Sequence, residues 1–105
     1  MKQRANILNA TLLGLALLTT CAPSLSADTS KGQQLYSANC AMCHGQTGRS
    51  VLPNAPNFDR GEGLLRPDFA LLAAIRAGKN AMPAFQGILA DREIMDVIAF
   101  LRTLR

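Results

Sequence analysis

Cys40-Ala41-Met42-Cys43-His44 is the stretch on which the reading of this 105-residue chain turns. Its C-x-x-C-H spacing is the attachment signature of a c-type haem. Two thiols about one helical turn apart can add to the two vinyl groups of one porphyrin, which leaves the next side chain aimed at the iron. Two other readings use the same residues. A thioredoxin-like redox pair needs a strand before the cysteines and an α/β pattern after them, and neither is evident. A zinc site needs a fourth ligand, but His44 is the single histidine and Cys21 the single further cysteine. The motif therefore predicts one covalently bound haem c, with iron, held by Cys40, Cys43 and His44.

Upstream of the motif, Ser30 and Gln33 have capping-box spacing, and Leu35, Tyr36, Cys40 and Cys43 recur at helical intervals. These predict a helix from about Lys31 toward the cysteines. Downstream, Gly45, Gly48, Gly61 and Gly63 with Pro53 and Pro56 read as a long loop, of a length that needs something to wrap on. Pro67 and Asp68 open a second helix carrying Phe69, Leu72, Ile75 and Arg76, which Gly78 can close in a left-handed conformation. Lys79 to Gly87 is loop again. Asp91 can cap a last helix whose Ile94, Val97, Ile98, Leu101 and Leu104 form an apolar stripe, with Arg102 and Arg105 suited to its negative end. No strand pattern or internal repeat stands out, so the class is all-α: three to four short helices with long connections.

The length allows one small domain and excludes a multidomain enzyme. With four Phe, one Tyr and no Trp there is little bulky material for a core, so a cofactor is expected to supply part of it. Lys2 and Arg4 are followed by no charge until Asp28, and Ile7 to Leu18 is mostly Leu and Ala, the layout of an export signal. Small residues permit cleavage after Ser26 or Ala27. The division is then a signal peptide at 1–27 and a domain at 28–105, in the periplasm. An uncleaved anchor over the uncharged run Ala5 to Ala27 is one alternative. Lipidation of Cys21 is another, since Leu18-Thr19-Thr20-Cys21 resembles a lipoprotein box, though Thr20 departs from the small residue usual there. Membrane association is expected only by these two routes. Removing residues 1–27 takes Lys2 and Arg4 away and leaves 78 residues with a formal charge of +2. That is too little for a general nucleic-acid partner.

Over residues 28–105 the chain resembles a small bacterial monohaem class I cytochrome c. The resemblance rests on the helix leading into C-x-x-C-H, on Gly32 and Tyr36 within it, and on Asn80-Ala81-Met82-Pro83-Ala84-Phe85 downstream. It implies the class I cytochrome c fold, with Gly32 and Tyr36 packed against Phe100, and it implies Met82 as the second axial ligand beside His44. Met42, between the cysteines, cannot cross the ring, and Met95 on the last helix reads as packing. The resemblance further implies that the Pro53 carbonyl accepts the other ring N–H of His44, with Pro56 as the alternative. Leu35, Phe58, Leu72, Phe85, Val97 and Leu101 are expected to build the apolar pocket. Arg60, Arg66 and Arg76 read as solvated surface, one of which could pair with a haem propionate.

A His/Met pair saturates the iron, so the expected function is a one-electron carrier, not an enzyme, between membrane or periplasmic redox proteins and with no small-molecule substrate. A subunit or maturation partner of a dehydrogenase or denitrification reductase is one alternative. A haem ligand-binding sensor with labile Met82 is the other. Lys79, with Arg49 behind it, is the basic candidate for partner docking at the haem edge.

Overall fold

The computed structural model describes residues 16, 18–23 and 25–105. The apolar stretch Ile7 to Leu18, expected to belong to an export signal, falls outside the described residues except for Ala16 and Leu18. The chain forms α1 (Thr29–Asn39), α2 (Ala41–His44), α3 (Asp68–Ala77) and α4 (Asp91–Leu101), with a 3₁₀ turn at Phe58–Arg60 in the long loop. Among the described residues there is no strand, only two isolated bridges.

Two of the helix starts differ from expectation. Asp28, not Ser30, caps α1, its carboxylate accepting from the Ser30 and Lys31 amides at 2.9 and 3.0 Å. A charged acceptor is the stronger partner for the positive helix end. In α4 the N-cap is Ala90 and Asp91 sits one position inside, while the Glu93 carboxylate accepts from the Ala90 amide at 3.0 Å. The motif lies on a broken helix: the chain leaves helical geometry at Cys40 (φ −122°) and resumes as α2, which ends on His44. Gly78 has the positive φ expected of it (67°), but its ψ of 173° is extended, so it turns the chain back toward α3 instead of closing the helix left-handed.

The core is set by the crossing of α1 on α4. A Cβ on Gly32 would lie 1.9 Å from the Asp96 carbonyl oxygen and 3.0 Å from Phe100 Cβ, so the two backbones touch where only a hydrogen fits. One turn on, the Tyr36 and Phe100 rings meet at 5.3 Å between centroids, tilted by 57°. The stripe predicted on α4 faces inward: Ile94, Val97, Ile98 and Leu101 are buried, and Leu104 packs half-buried at its end. Burying each of these aliphatic side chains contributes about 1.5–3 kcal/mol. The Tyr36 hydroxyl donates to the Gly45 carbonyl at 2.6 Å, tying this crossing to the turn directly after His44.

Arg102 does more than complement a helix dipole. Its guanidinium donates to the carbonyls of Leu64 (2.8 Å) and Arg66 (3.0 Å) and to the Asp68 carboxylate, joining the end of α4 to the start of α3. A lysine carries the charge without the planar fork that reaches three acceptors. Arg102→Lys is expected to lower the unfolding free energy by about 1–2 kcal/mol in urea titration. Gly32→Ala should cost more, about 2–4 kcal/mol, while Gln34→Ala on the exposed side of α1 should stay within about 0.5 kcal/mol. Equal midpoints for the Gly32 and Gln34 variants would show that the helices do not cross as described.

Candidate functional site

The two halves of the predicted site line one cavity of about 560 Å³. Cys40, Cys43 and His44 come to it from α2 and the break before it, and Met82, Pro83 and Phe85 from the loop after α3. Leu52, Pro53, Asn54, Ala55 and Pro56 bring the long loop to the same cavity. Two free thiols, one imidazole and one thioether on a single hollow of this size form a donor set that fits a covalently attached haem.

The cysteine side is held from behind. The Cys43 carbonyl accepts from the Val51 amide (3.1 Å) and the Ser50 hydroxyl (3.3 Å), and Asn57 Oδ1 accepts from the Ser50 amide at 2.9 Å. The Asn57 amide in turn donates to the Glu62 carboxylate at 2.8 Å. Phe58, in the 3₁₀ turn, stacks on the His44 ring at 4.8 Å and 26°. Burial holds His44 below the usual histidine range, partly offset by the Pro56 carbonyl, which favours the protonated ring. The imidazole is therefore available in its neutral, ligating form. Burial first, and the neighbouring Cys43 second, push the Cys40 thiol up to about 11.

Nδ1 of His44 is buried and meets no acceptor at hydrogen-bond geometry. An orphaned buried ring N–H costs about 1–3 kcal/mol. A metal-ligating histidine ordinarily passes this proton to a carbonyl. Pro53, the first expectation, and Pro56, the alternative, both line the cavity with His44, and neither carbonyl accepts from Nδ1 in this structure. Counting residues from His44 could not separate them, because the loop's path depends on Ser50 and Asn57.

Met82 is presented by a tight turn. Lys79 and Met82 exchange backbone hydrogen bonds at 3.0 Å in each direction across Asn80 and Ala81, and Asn80 takes a positive φ of 54°. The loop then returns to α3: the amides of Phe85 and Gln86 donate to the Ile75 and Arg76 carbonyls at 3.1 and 3.2 Å, satisfying acceptors a helix leaves free at its C-terminal end. A Cβ on Gly78 would lie 2.7 Å from the Met82 oxygen and the Ala84 nitrogen. The rival methionines are placed elsewhere. Met42 is 88% exposed, and Met95 packs against the core.

Not every expected wall residue reaches the cavity. Phe85 lines it, whereas Val97 and Leu101 are buried in the core, with Leu35, Phe58 and Leu72 packed half-buried against it. They back the site through the α1–α4 packing. Of the three arginines left undivided by sequence, Arg66 lines the cavity, while Arg60 and Arg76 approach Glu62 (3.9 Å) and Asp91 (3.4 Å). Lys79 is exposed on the cavity rim, and Arg49 is paired with Asp59 at 3.3 Å. The stacking of Phe58 and the support from Ser50 and Asn57 carried no signal in the sequence beyond loop-forming composition.

Residues 27–101 match the protein family described as cytochrome c oxidase, cbb3-type, subunit III. The chain is 37% identical to cytochrome c6 of Nostoc sp. strain PCC 7120, over 90% of its own length and 89% of the relative's. It is 36% identical to cytochrome c6 of Thermosynechococcus vestitus, over 96% and 91%. The crystal structure of cytochrome c6 from the diatom Phaeodactylum tricornutum superposes with a TM-score of 0.63 at 34% identity, covering 73% of this chain and 93% of that one.

Because Gly78 combines positive φ with contact to the Met82 backbone, Gly78→Ala is expected to displace the Met82 turn and cost about 1–3 kcal/mol. In the haem-loaded protein the same variant should weaken the methionine-to-iron absorption band. Retention of both the band and the urea midpoint would show that the turn does not depend on this approach.

Proposed function

The chain belongs to the small monohaem class I cytochromes c, and from that premise we propose that Cys40 and Cys43 would hold the haem through thioethers, with His44 and Met82 as the two side chains that would ligate its iron. The protein is an electron carrier, not an enzyme, and its cofactor is one covalently bound haem c. The observation that supports the ligand assignment is the convergence of these four side chains on one cavity.

When bound, the haem supplies a one-electron couple between ferric and ferrous iron. The residues around it set how that couple behaves. The Met82 thioether is a soft donor that favours the ferrous state, and the apolar face of Phe85 disfavours extra positive charge, so both raise the potential. We assign the Pro56 carbonyl, at the same cavity, to the other ring nitrogen of His44, where it would orient the ring and make it a better donor. The Asn80–Ala81 turn and the return hydrogen bonds to Ile75 and Arg76 keep Met82 in place, so little has to move when an electron arrives. Arg66, at the cavity, is the arginine suited to a propionate.

The partners are redox proteins, and we assign their docking to the rim where Lys79 is exposed. Residues 1–27 act as an export signal that delivers the domain 28–105 to the periplasm. Among the described residues no helix is long and apolar enough to cross a membrane.

A pyridine haemochrome assay on the exported protein should give one covalent haem per chain, and its absence would refute the ligand assignment. Met82→Ala should open the sixth position, remove the methionine-to-iron band, lower the potential and let the ferrous protein bind carbon monoxide. An unaltered spectrum would assign the ligand to another residue. Lys79→Gln is expected to slow electron transfer to an acidic partner severalfold at low salt and hardly at all at high salt, with the haem spectrum intact. A rate unchanged at both ionic strengths would remove Lys79 from docking.

A further inference from the structure

We propose that removal of the leader after Ala27 builds a new ion pair into the fold, between the α-ammonium of Asp28 and the buried carboxylate of Asp96. This rests on the export reading above and adds a structural role for the cleavage.

Asp96 lies in the middle of α4, only 5% exposed, and is the one buried charged residue among those described. A carboxylate removed from water to this degree needs a partner. Its Oδ1 has two: the Asp28 backbone nitrogen, which donates at 2.7 Å, and Arg92 Nε at 3.5 Å, one turn earlier and half exposed. The shorter contact thus comes from the nitrogen that becomes the chain terminus when the leader is removed. Arg92 is also drawn toward the leader, since it donates to the Ser26 carbonyl at 2.8 Å.

Hydrolysis of the Ala27–Asp28 peptide bond by a leader peptidase consumes one water, leaving a carboxylate on Ala27 and, at neutral pH, an ammonium on Asp28. The neutral N–H on Oδ1 then becomes a charged donor at the same position, and Arg92 loses its Ser26 acceptor. A free ammonium at the N-cap of a helix is otherwise disfavoured by the helix dipole. Asp96 offsets this from α4. The charged groups at the new terminus are Asp96 and Arg92 on α4 and Asp28's own carboxylate, which accepts from the Ser30 and Lys31 amides. The pair lies beside the Gly32 contact, and the charge created when the leader is removed strengthens an existing tie between α1 and α4.

Mass spectrometry of the exported, haem-loaded protein should show Asp28 as the first residue. Another first residue would overturn the cleavage position and the pair with it. For the pair itself, haem-loaded protein is made behind a foreign leader and trimmed by a sequence-specific protease to begin at Asp28 or at Ser26, each with Asp96 or with Asp96→Asn. Beginning at Asp28 should raise the folding equilibrium constant about tenfold when Asp96 is present and less than about twofold in Asp96→Asn. Equal changes in both backgrounds would overturn the pair while leaving the cleavage position standing. Should Asp96→Asn not fold, titration of the α-amine in the Asp28-first protein decides. Its pKa is expected above the ordinary range of about 7.7–8.0, with the added stability present below that range and lost as pH rises through the folded value. An α-amine titrating within or below that range would overturn the pair.

Discussion

The contact between Gly32 and the Asp96 carbonyl is the constraint from which the rest of this structure follows. At a backbone approach that admits no side chain, α1 and α4 come close enough for Tyr36 to reach Phe100. The Tyr36 hydroxyl then reaches the Gly45 carbonyl, and through it the end of α2, where His44 stands. Burial, with a smaller contribution from Cys40, pushes the Tyr36 phenol up to about 12, so it remains a hydrogen-bond donor over the working range of the protein. A single packing decision between two helices thus places His44.

Met82 is placed by a different kind of economy. Long loops are costly to order, and this chain spends much of its length on them. The cost is offset by backbone groups that the loops satisfy or have satisfied for them. The Met82 loop takes the carbonyls of Ile75 and Arg76, the long loop takes the Cys43 carbonyl, and Arg102 takes those of Leu64 and Arg66. The two walls of the cavity are therefore held mostly by backbone hydrogen bonds, while the apolar core stands behind them. This accounts for Val97 and Leu101 supporting the site without lining it.

What could be read early and what could not follows the range of the interaction involved. The α4 stripe was legible because helical periodicity is local and one face of that helix is buried almost without interruption. Cys40, Cys43, His44 and Met82 stood out because their chemistry is confined to short motifs. The choice between Pro53 and Pro56 was not legible, since it depends on how Ser50 and Asn57 fold the loop around the ring. Nor was Asp28 as the α1 cap, because the Ser30 and Gln33 spacing offered an equally good local signal. The stacking of Phe58 on His44 joins residues fourteen apart through a loop with no periodicity at all.

The sequence by itself determined the helical class, the C-x-x-C-H motif, the Met82-Pro83 motif and the apolar face of α4, because each is a property of residues within a turn or two of one another. Only the tertiary structure decided that Phe58 stacks on His44, which of the three arginines lines the cavity, and that Asp96 lies buried against the nitrogen of Asp28. These depend on where separate segments meet in space. Whether a carboxylate such as Asp96 is solvated surface or a buried charge in need of a partner is settled by the element packed over it, and a one-dimensional pattern does not carry that information.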